Sequence, residues 1–310
     1  MAGTSIRGRF TWHELNTSDP DRAVPFYSKV VGWSVAPFEG SPGYRMWMTG
    51  KTPMGGLMRL TEDARRMGAP PHWLMYVGMP DVDAAVRQAQ GLGARVLVPA
   101  RDIPTVGRFA VLADPQGAAF AVYAPALHPG PDAPAAIGDF SWHELATKDW
   151  QAAWRFYQAL FGWDKDEAMD MGSAGMYQIF GRAGRQLGGI YNTSSDMPAP
   201  PHWLPYVRVT SADQAAKTVS ALGGTVVRGP MDVPGGDRIA MCIDPQGVAF
   251  AVHSRAVVAS GPARPKRQSQ PARKRPAAKR KRAPKRKARV KVKRARRARR
   301  PRRPRGRPRR

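Results

Sequence analysis

Apolar and polar residues alternate through Phe10–Leu15, a period of two that predicts a strand. Asp19-Pro20 then offers a helix N-cap with proline at the first turn, and Ala23, Phe26, Tyr27 and Val30 fall at helical spacing before Gly32. Three short strands follow, near 33–37, 43–49 and 54–60. The pattern then restarts, with a strand at 72–79, a helix at 81–91 closed by Gly91 and Gly93, and strands near 95–98, 108–113 and 118–123. The order β-α-β-β-β is therefore predicted twice within the first 125 residues.

The whole series recurs. Phe10-Thr-Trp-His-Glu-Leu15 returns as Phe140-Ser-Trp-His-Glu-Leu145, and Phe26-Tyr27 with Gly32-Trp33 as Phe156-Tyr157 with Gly162-Trp163. Ala69-Pro-Pro-His-Trp-Leu74 returns as Ala199-Pro-Pro-His-Trp-Leu204, and Asp114-Pro-Gln-Gly117 as Asp244-Pro-Gln-Gly247. A repeat this long means duplicated domains rather than a solenoid. Pro129, Gly130, Pro131 and Pro134 break both periodicities and mark residues 126–137 as the linker.

Charge divides the chain differently. From Gly261 to Arg310 there are 27 Lys and Arg and no acidic residue, so the first 260 residues balance 23 basic against 23 acidic side chains. With little apolar bulk and one sign of charge, residues 260–310 are expected to be disordered. Their basic blocks are Lys279-Arg280-Lys281-Arg282, Lys285-Arg286-Lys287, and Arg294 with Arg296, Arg297, Arg299 and Arg300. Such a segment is suited to neutralising phosphates, and with no aromatic residue among the charges it should read no base sequence. Its composition is similar to the tails of linker histones and some bacterial nucleoid proteins. Cys242 is the single cysteine, which excludes an intrachain disulfide, and no apolar run is long enough to span a bilayer. Cytoplasmic placement, with association with the nucleoid, is the expectation; the oligomeric state is left open.

The order of elements, with Phe-Tyr, Gly-Trp, a Gly-Gly pair and a closing Asp-Pro-Gln-Gly strand, resembles the vicinal oxygen chelate superfamily. That group contains glyoxalase I, bleomycin-resistance proteins and extradiol dioxygenases. The resemblance, closest to the tandem glyoxalase-like bacterial branch, covers residues 8–125 and 138–255 and none of the tail. It implies an α+β fold of two tandem glyoxalase-like domains, each of two βαβββ modules that form a cup-shaped sheet around a ligand.

Metal-dependent members carry His, Gln or Glu on the first and fourth strands of each module. Threaded onto that pattern, this sequence offers Trp12, Gly56 or Leu57, Leu74 and Ala121, and then Trp142, Gly189 or Ile190, Leu204 and Ala251. None supplies an imidazole, carboxylate or thiolate, so no metal cofactor is expected. Adjacent residues on a strand face opposite ways, so Glu14 should share the cup with Trp12 while His13 points to the helices. The candidate ligand-facing set is Trp12, Glu14 and His72, with Trp142, Glu144 and His202. These suit a small organic ligand or acid–base chemistry, and equally a cup filled by packing residues and a structural hydrogen bond. The resulting expectation is a small-molecule-binding protein with a nucleic-acid-binding tail. A lyase, isomerase or dioxygenase of the same superfamily and a structural nucleoid component are the alternatives.

Overall fold

The computed structural model describes residues 6–127, 130, 132–193 and 199–255. The expected order of elements is present in both repeats. The first contains β1 (Phe10–Thr17), α1 (Pro20–Val31), β2 (Ser34–Pro37), β3 (Arg45–Thr49), β4 (Thr52–Arg59), α2 (Glu62–Arg66), β5 (His72–Gly78), α3 (Val82–Gly91), β6 (Arg95–Ile103), β7 (Gly107–Ala113) and β8 (Ala119–Pro125). The second contains β9 (Phe140–Thr147), α4 (Trp150–Phe161), β10 (Asp164–Asp170), β11 (Met176–Arg182), β12 (Arg185–Asn192), β13 (His202–Arg208), α5 (Ala212–Ala221), β14 (Thr225–Asp232), β15 (Arg238–Ile243) and β16 (Ala249–Ser254).

Each repeat forms an eight-stranded sheet, ordered β2-β3-β4-β1-β5-β8-β7-β6 in the first and β10-β11-β12-β9-β13-β16-β15-β14 in the second. The first strand of each module pairs in parallel with its last, and β1 joins β5 antiparallel to close the two modules into one sheet. Asp19 caps α1 by accepting the amides of Asp21 and Arg22, and Gly32 ends it at φ 83°, a conformation that favours glycine. Strand β6 runs further than its apolar pattern, to Ile103, with breaks in register on both sides of Val98; Pro99 there has no amide to give the ladder. Helix α2 escapes sequence reading because none of its residues is buried, so it carries no apolar period.

The two largest cores are shared between the repeats. One core combines Leu15, Phe26, Tyr27, Trp33 and Trp73 of the first repeat with Val207, Ala215, Val219, Cys242 and Phe250 of the second. The other combines Met75, Val77, Phe120 and Val122 with Trp154, Phe156, Tyr157, Trp163 and Trp203. Helix α1 packs on both repeats: Tyr27 meets Trp73 edge-on and Phe250 of the other repeat at 5.2 Å. Polar contacts are reciprocal as well. Tyr27 donates to Asp244 at 3.1 Å and Tyr157 to Asp114 at 3.0 Å; Trp33 donates to the Gly138 carbonyl and Trp163 to that of Gly8. The Asp-Pro-Gln-Gly turn is thus also the docking point between repeats. Gln246 accepts the amide of Asp19 and donates back to its carbonyl, and Gln116 does the same to Asp149. The linker is tied down too, with Asp132 paired to Arg9 and Arg182.

Candidate functional site

With the helices and the opposite repeat covering one face of each sheet, the other face is the inside of a cup. Trp12 packs there against Leu74, Tyr76, Phe109, Val111 and Ala121, and Trp142 against Leu204, Tyr206, Ile239 and Ala251. Glu14, two residues beyond Trp12 and therefore on the same face, lies opposite Gly56 on β4 and Leu74 on β5. His13 faces the other way, as its parity requires. Its Nε2 lies 2.7 Å from Nε2 of His143, inside the contact between repeats.

Each cup holds a short polar chain. Trp12 Nε1–H donates to the Tyr44 hydroxyl at 3.0 Å, and Tyr44 in turn bonds Glu14. In the second cup Trp142 donates to Tyr177 at 2.8 Å, and Tyr177 donates to Glu144 Oε1 at 2.7 Å. Burial raises the pKa of both carboxyl groups, because the charged form loses its hydration. Hydrogen bonds from Asn16, Tyr44 and Tyr76, and the field of Arg101, oppose that shift at Glu14; hydrogen bonds from Tyr177 and Tyr206, and the field of Arg228, act the same way at Glu144. Arg101 also sits 4.9 Å from the centre of the Phe109 ring.

The second glycine of each Gly-Gly pair makes room for these tyrosines. A methyl group on Gly56 would sit 1.9 Å from the Tyr44 hydroxyl oxygen, and one on Gly189 would sit 2.0 Å from Tyr177 Cζ. Glycine here is a matter of close approach and not of backbone conformation.

This arrangement does not fit the cation that the fold accommodates in other proteins. Of the two fourth-strand alternatives, Leu57 and Ile190 are buried in the shared cores, which leaves Gly56 and Gly189 facing the cups. Trp12 has only an indole N–H, already spent on Tyr44, and Leu74 and Ala121 have no lone pairs to offer. Among the described residues no three His, Cys, Asp or Glu side chains converge as a metal site would require.

His72 and His202 stand at the starts of β5 and β13, opposite Asn16 and Ala146 and so two positions along from the glutamates. Each Nδ1 lies 2.8 Å from a proline carbonyl, of Pro70 and Pro200. A carbonyl can only accept, so Nδ1 carries a proton in each ring. Burial lowers the pKa of His72. The structure thus links Trp12 to Glu14, and Trp142 to Glu144, through one tyrosine each, while each histidine bonds its own proline carbonyl. Tyr44, Tyr76, Tyr177 and Tyr206 went unread in the sequence, although Tyr44 recurs as Tyr177 and Tyr76 as Tyr206 in the same self-comparison that reveals the repeat. The basic blocks of the tail lie outside the described residues.

Comparison with known proteins agrees with this architecture. Residues 12–123 match the model of a glyoxalase-like domain, and residues 139–252 match that of the glyoxalase/bleomycin resistance protein/dioxygenase superfamily. CFP32 of Mycobacterium tuberculosis is 32% identical over 250 residues, which span 79% of this chain and 94% of that one. The chain belongs to the glyoxalase/bleomycin resistance protein/dioxygenase superfamily. The anthracycline biosynthesis protein DnrV of Streptomyces peucetius is 29% identical over 258 residues, covering 79% of this chain and 92% of its own. Two solved structures share the fold at lower identity. The Mn(II)-bound glyoxalase of Novosphingobium aromaticivorans superposes with a TM-score of 0.56 at 16% identity, over 81% of this chain and 82% of that one. The 2,3-dioxygenase LapB of Pseudomonas sp. KL28 gives 0.57 at 13%, over 81% and 94%. Among the described residues no helix is long and apolar enough to cross a membrane.

Proposed function

We propose that this chain binds a small organic molecule through the aromatic and carboxyl side chains of its cups, without a metal ion, and binds nucleic acid non-specifically through residues 261–310. The observation that carries the first part is the Trp-Tyr-Glu chain of each cup, whose tryptophan falls where the family resemblance puts a first-strand metal donor. An indole and a phenol offer flat apolar contact, and a buried carboxyl group offers one strong hydrogen bond; that combination suits an organic ligand. The name of DnrV, an anthracycline biosynthesis protein, is in keeping with an organic ligand. The second part rests on 27 basic and no acidic residues from Gly261 to Arg310. Deleting residues 261–310 tests both parts: DNA binding is lost while ligand binding persists. Loss of neither on deletion removes the tail from the account, and a protein whose domains only space the tail would bind no small molecule.

The raised pKa of Glu14 and Glu144 favours a second reading, in which a cup performs acid–base chemistry of the lyase or isomerase kind. Turnover that survives replacement of both glutamates by glutamine would remove it.

A further inference from the structure

We infer that Ser141 is a nucleophile that cleaves small carboxylic esters, with His253 as its base and Asp237 holding the imidazole in position. This activity uses none of the Trp-Tyr-Glu residues of the cups and does not rest on the binding function proposed above.

The serine comes from an irregularity in β9. Trp142 pairs with Tyr206 and Phe140 with Val207, so Ser141 is the extra residue between them, in a bulge of the kind that re-aims a side chain. Its Oγ lies 2.9 Å from Nδ1 of His253, near the end of β16. Nε2 of the same ring lies 2.8 Å from Oδ2 of Asp237, just before β15. A carboxylate can only accept, so Nε2 carries a proton, and in the neutral ring Nδ1 is then the acceptor. The Ser141 hydroxyl donates to it, which is the direction an activated nucleophile requires.

The first repeat has the same bulge without the imidazole or the carboxylate. Thr11 is its extra residue, and the Thr11 hydroxyl donates to the Tyr76 carbonyl at 3.2 Å. Tyr123 stands in the place of His253 and donates to the Val106 carbonyl at 2.9 Å; Gly107 stands in the place of Asp237. Ser141 keeps the matching carbonyl, that of Tyr206, at 3.3 Å. A backbone carbonyl therefore settles the hydroxyl in either repeat. The imidazole and carboxylate of the second are an addition that packing does not require.

The group is open to a reactant. Ser141 is half-buried, the His253 side chain is 16% exposed and that of Asp237 35%. Ser141 is also among the residues lining a cavity of about 140 Å³ between the repeats, ample for an acetyl group. In the reaction, His253 Nδ1 takes the Ser141 proton as Oγ bonds the acyl carbon. The ester C–O bond breaks and that proton leaves on the departing alcohol. Water then gives a proton to the same nitrogen and its hydroxide to the acyl carbon. The acid is released and the proton returns to Ser141.

The test uses the full chain with p-nitrophenyl acetate as substrate and diisopropyl fluorophosphate as a label, which loses fluoride and stays on the serine it meets. Peptide mass spectrometry should place the label on Ser141 and not on Thr11. Ser141→Ala should remove the label and reduce nitrophenolate release to that of free histidine and lysine. His253→Gln should slow labelling about 100-fold or more. Asp237→Asn keeps the shape of the carboxylate but favours the wrong tautomer, and should slow labelling by a similar factor. Imidazole nitrogen spectra should show His253 protonated at Nε2 in the unaltered chain and at Nδ1 in Asp237→Asn, a change that a merely structural aspartate would not produce. Melting curves confirm that each variant is folded, and either of the last two suffices if the other is not. A label absent from Ser141, labelling that neither variant slows, or nitrophenolate release unchanged by Ser141→Ala would overturn the inference.

Discussion

His13 Nε2 and His143 Nε2 meet at 2.7 Å where the two repeats join, and each imidazole stacks at 3.6 Å on the first residue of the partner strand, Phe140 or Phe10. Nδ1 of His143 lies 3.1 Å from the Leu187 carbonyl and must hold a proton, so His143 accepts at Nε2 and His13 donates. The pair is neutral and holds one shared proton between the rings.

Acid should therefore weaken the junction. Burial pushes His143 down to about 3, with Arg185 adding to the shift, and burial beside His143 holds His13 well below its usual value. The unfolded chain takes up protons near pH 6.5 while the native chain does not, so this contribution is present above that pH and is lost as pH falls. Between pH 7 and pH 5 the cost is about 2 kcal/mol per histidine. Glu14, Glu144, Asp114 and Asp244, whose pKa values are raised by burial, act in the opposite sense. The histidine share is thus read as a difference. Urea midpoints of His13→Gln/His143→Gln should fall less between pH 7 and 5 than those of the unaltered chain, and parallel pH profiles would refute the assignment.

Shared cores predict shared unfolding. Both of the larger cores draw on both repeats, so residues 6–255 should melt in one transition with equal calorimetric and van't Hoff enthalpies. Either repeat produced alone would expose half of each core and should yield no folded monomer. Two resolved transitions would contradict this.

At Asp114, the side chain accepts three backbone amides in its own turn and the Tyr157 hydroxyl from the other repeat. Asp114→Ala should cost about 2–4 kcal/mol by leaving these donors buried and unpaired. Tyr157→Phe, which removes only the bond between repeats, should cost about 1 kcal/mol. Denaturant midpoints for the two variants measure both.

Gly56→Ala and Gly189→Ala should each destabilise by about 1–3 kcal/mol, because the added methyl displaces a tyrosine from the polar chain. A change within about 0.5 kcal/mol, the range of an ordinary surface substitution, would mean that Tyr44 and Tyr177 are free to move aside.

DNA binding through the tail should be dominated by counterion release. If about 10 phosphates are engaged, log affinity should fall against log salt with a slope of roughly −9, whatever the base sequence. A slope near zero would point to contacts of another kind.

Much of this was legible beforehand. The 130-residue echo and the Phe-Tyr, Gly-Trp and Asp-Pro-Gln-Gly punctuation announced the repeat and its order of elements, and a period of two was enough to put Trp12 and Glu14 on one face and His13 on the other. What covers the opposite face was not legible. Periodicity shows that Phe26 and Tyr27 are buried, but it does not reveal that Phe250 of the other repeat helps to bury them. The Asp-Pro-Gln-Gly segment stands out by its recurrence, but the reach of Gln246 to Asp19 depends on a neighbour 227 residues away. Similarly, Asn16 against Ala146 is plain in the alignment of the two halves, yet it acquires meaning only once Asn16 is found bonded to Glu14.

Metal content and the binding of an aromatic probe, 1-naphthol, measured together on the full chain before and after dialysis against EDTA, address the cups most directly. The expected outcome is substoichiometric Zn, Mn, Fe and Ni, with 1-naphthol affinity the same on both sides of the treatment. About one such ion per repeat, with affinity abolished by chelation and restored by the metal, would contradict a cup that works through its own side chains.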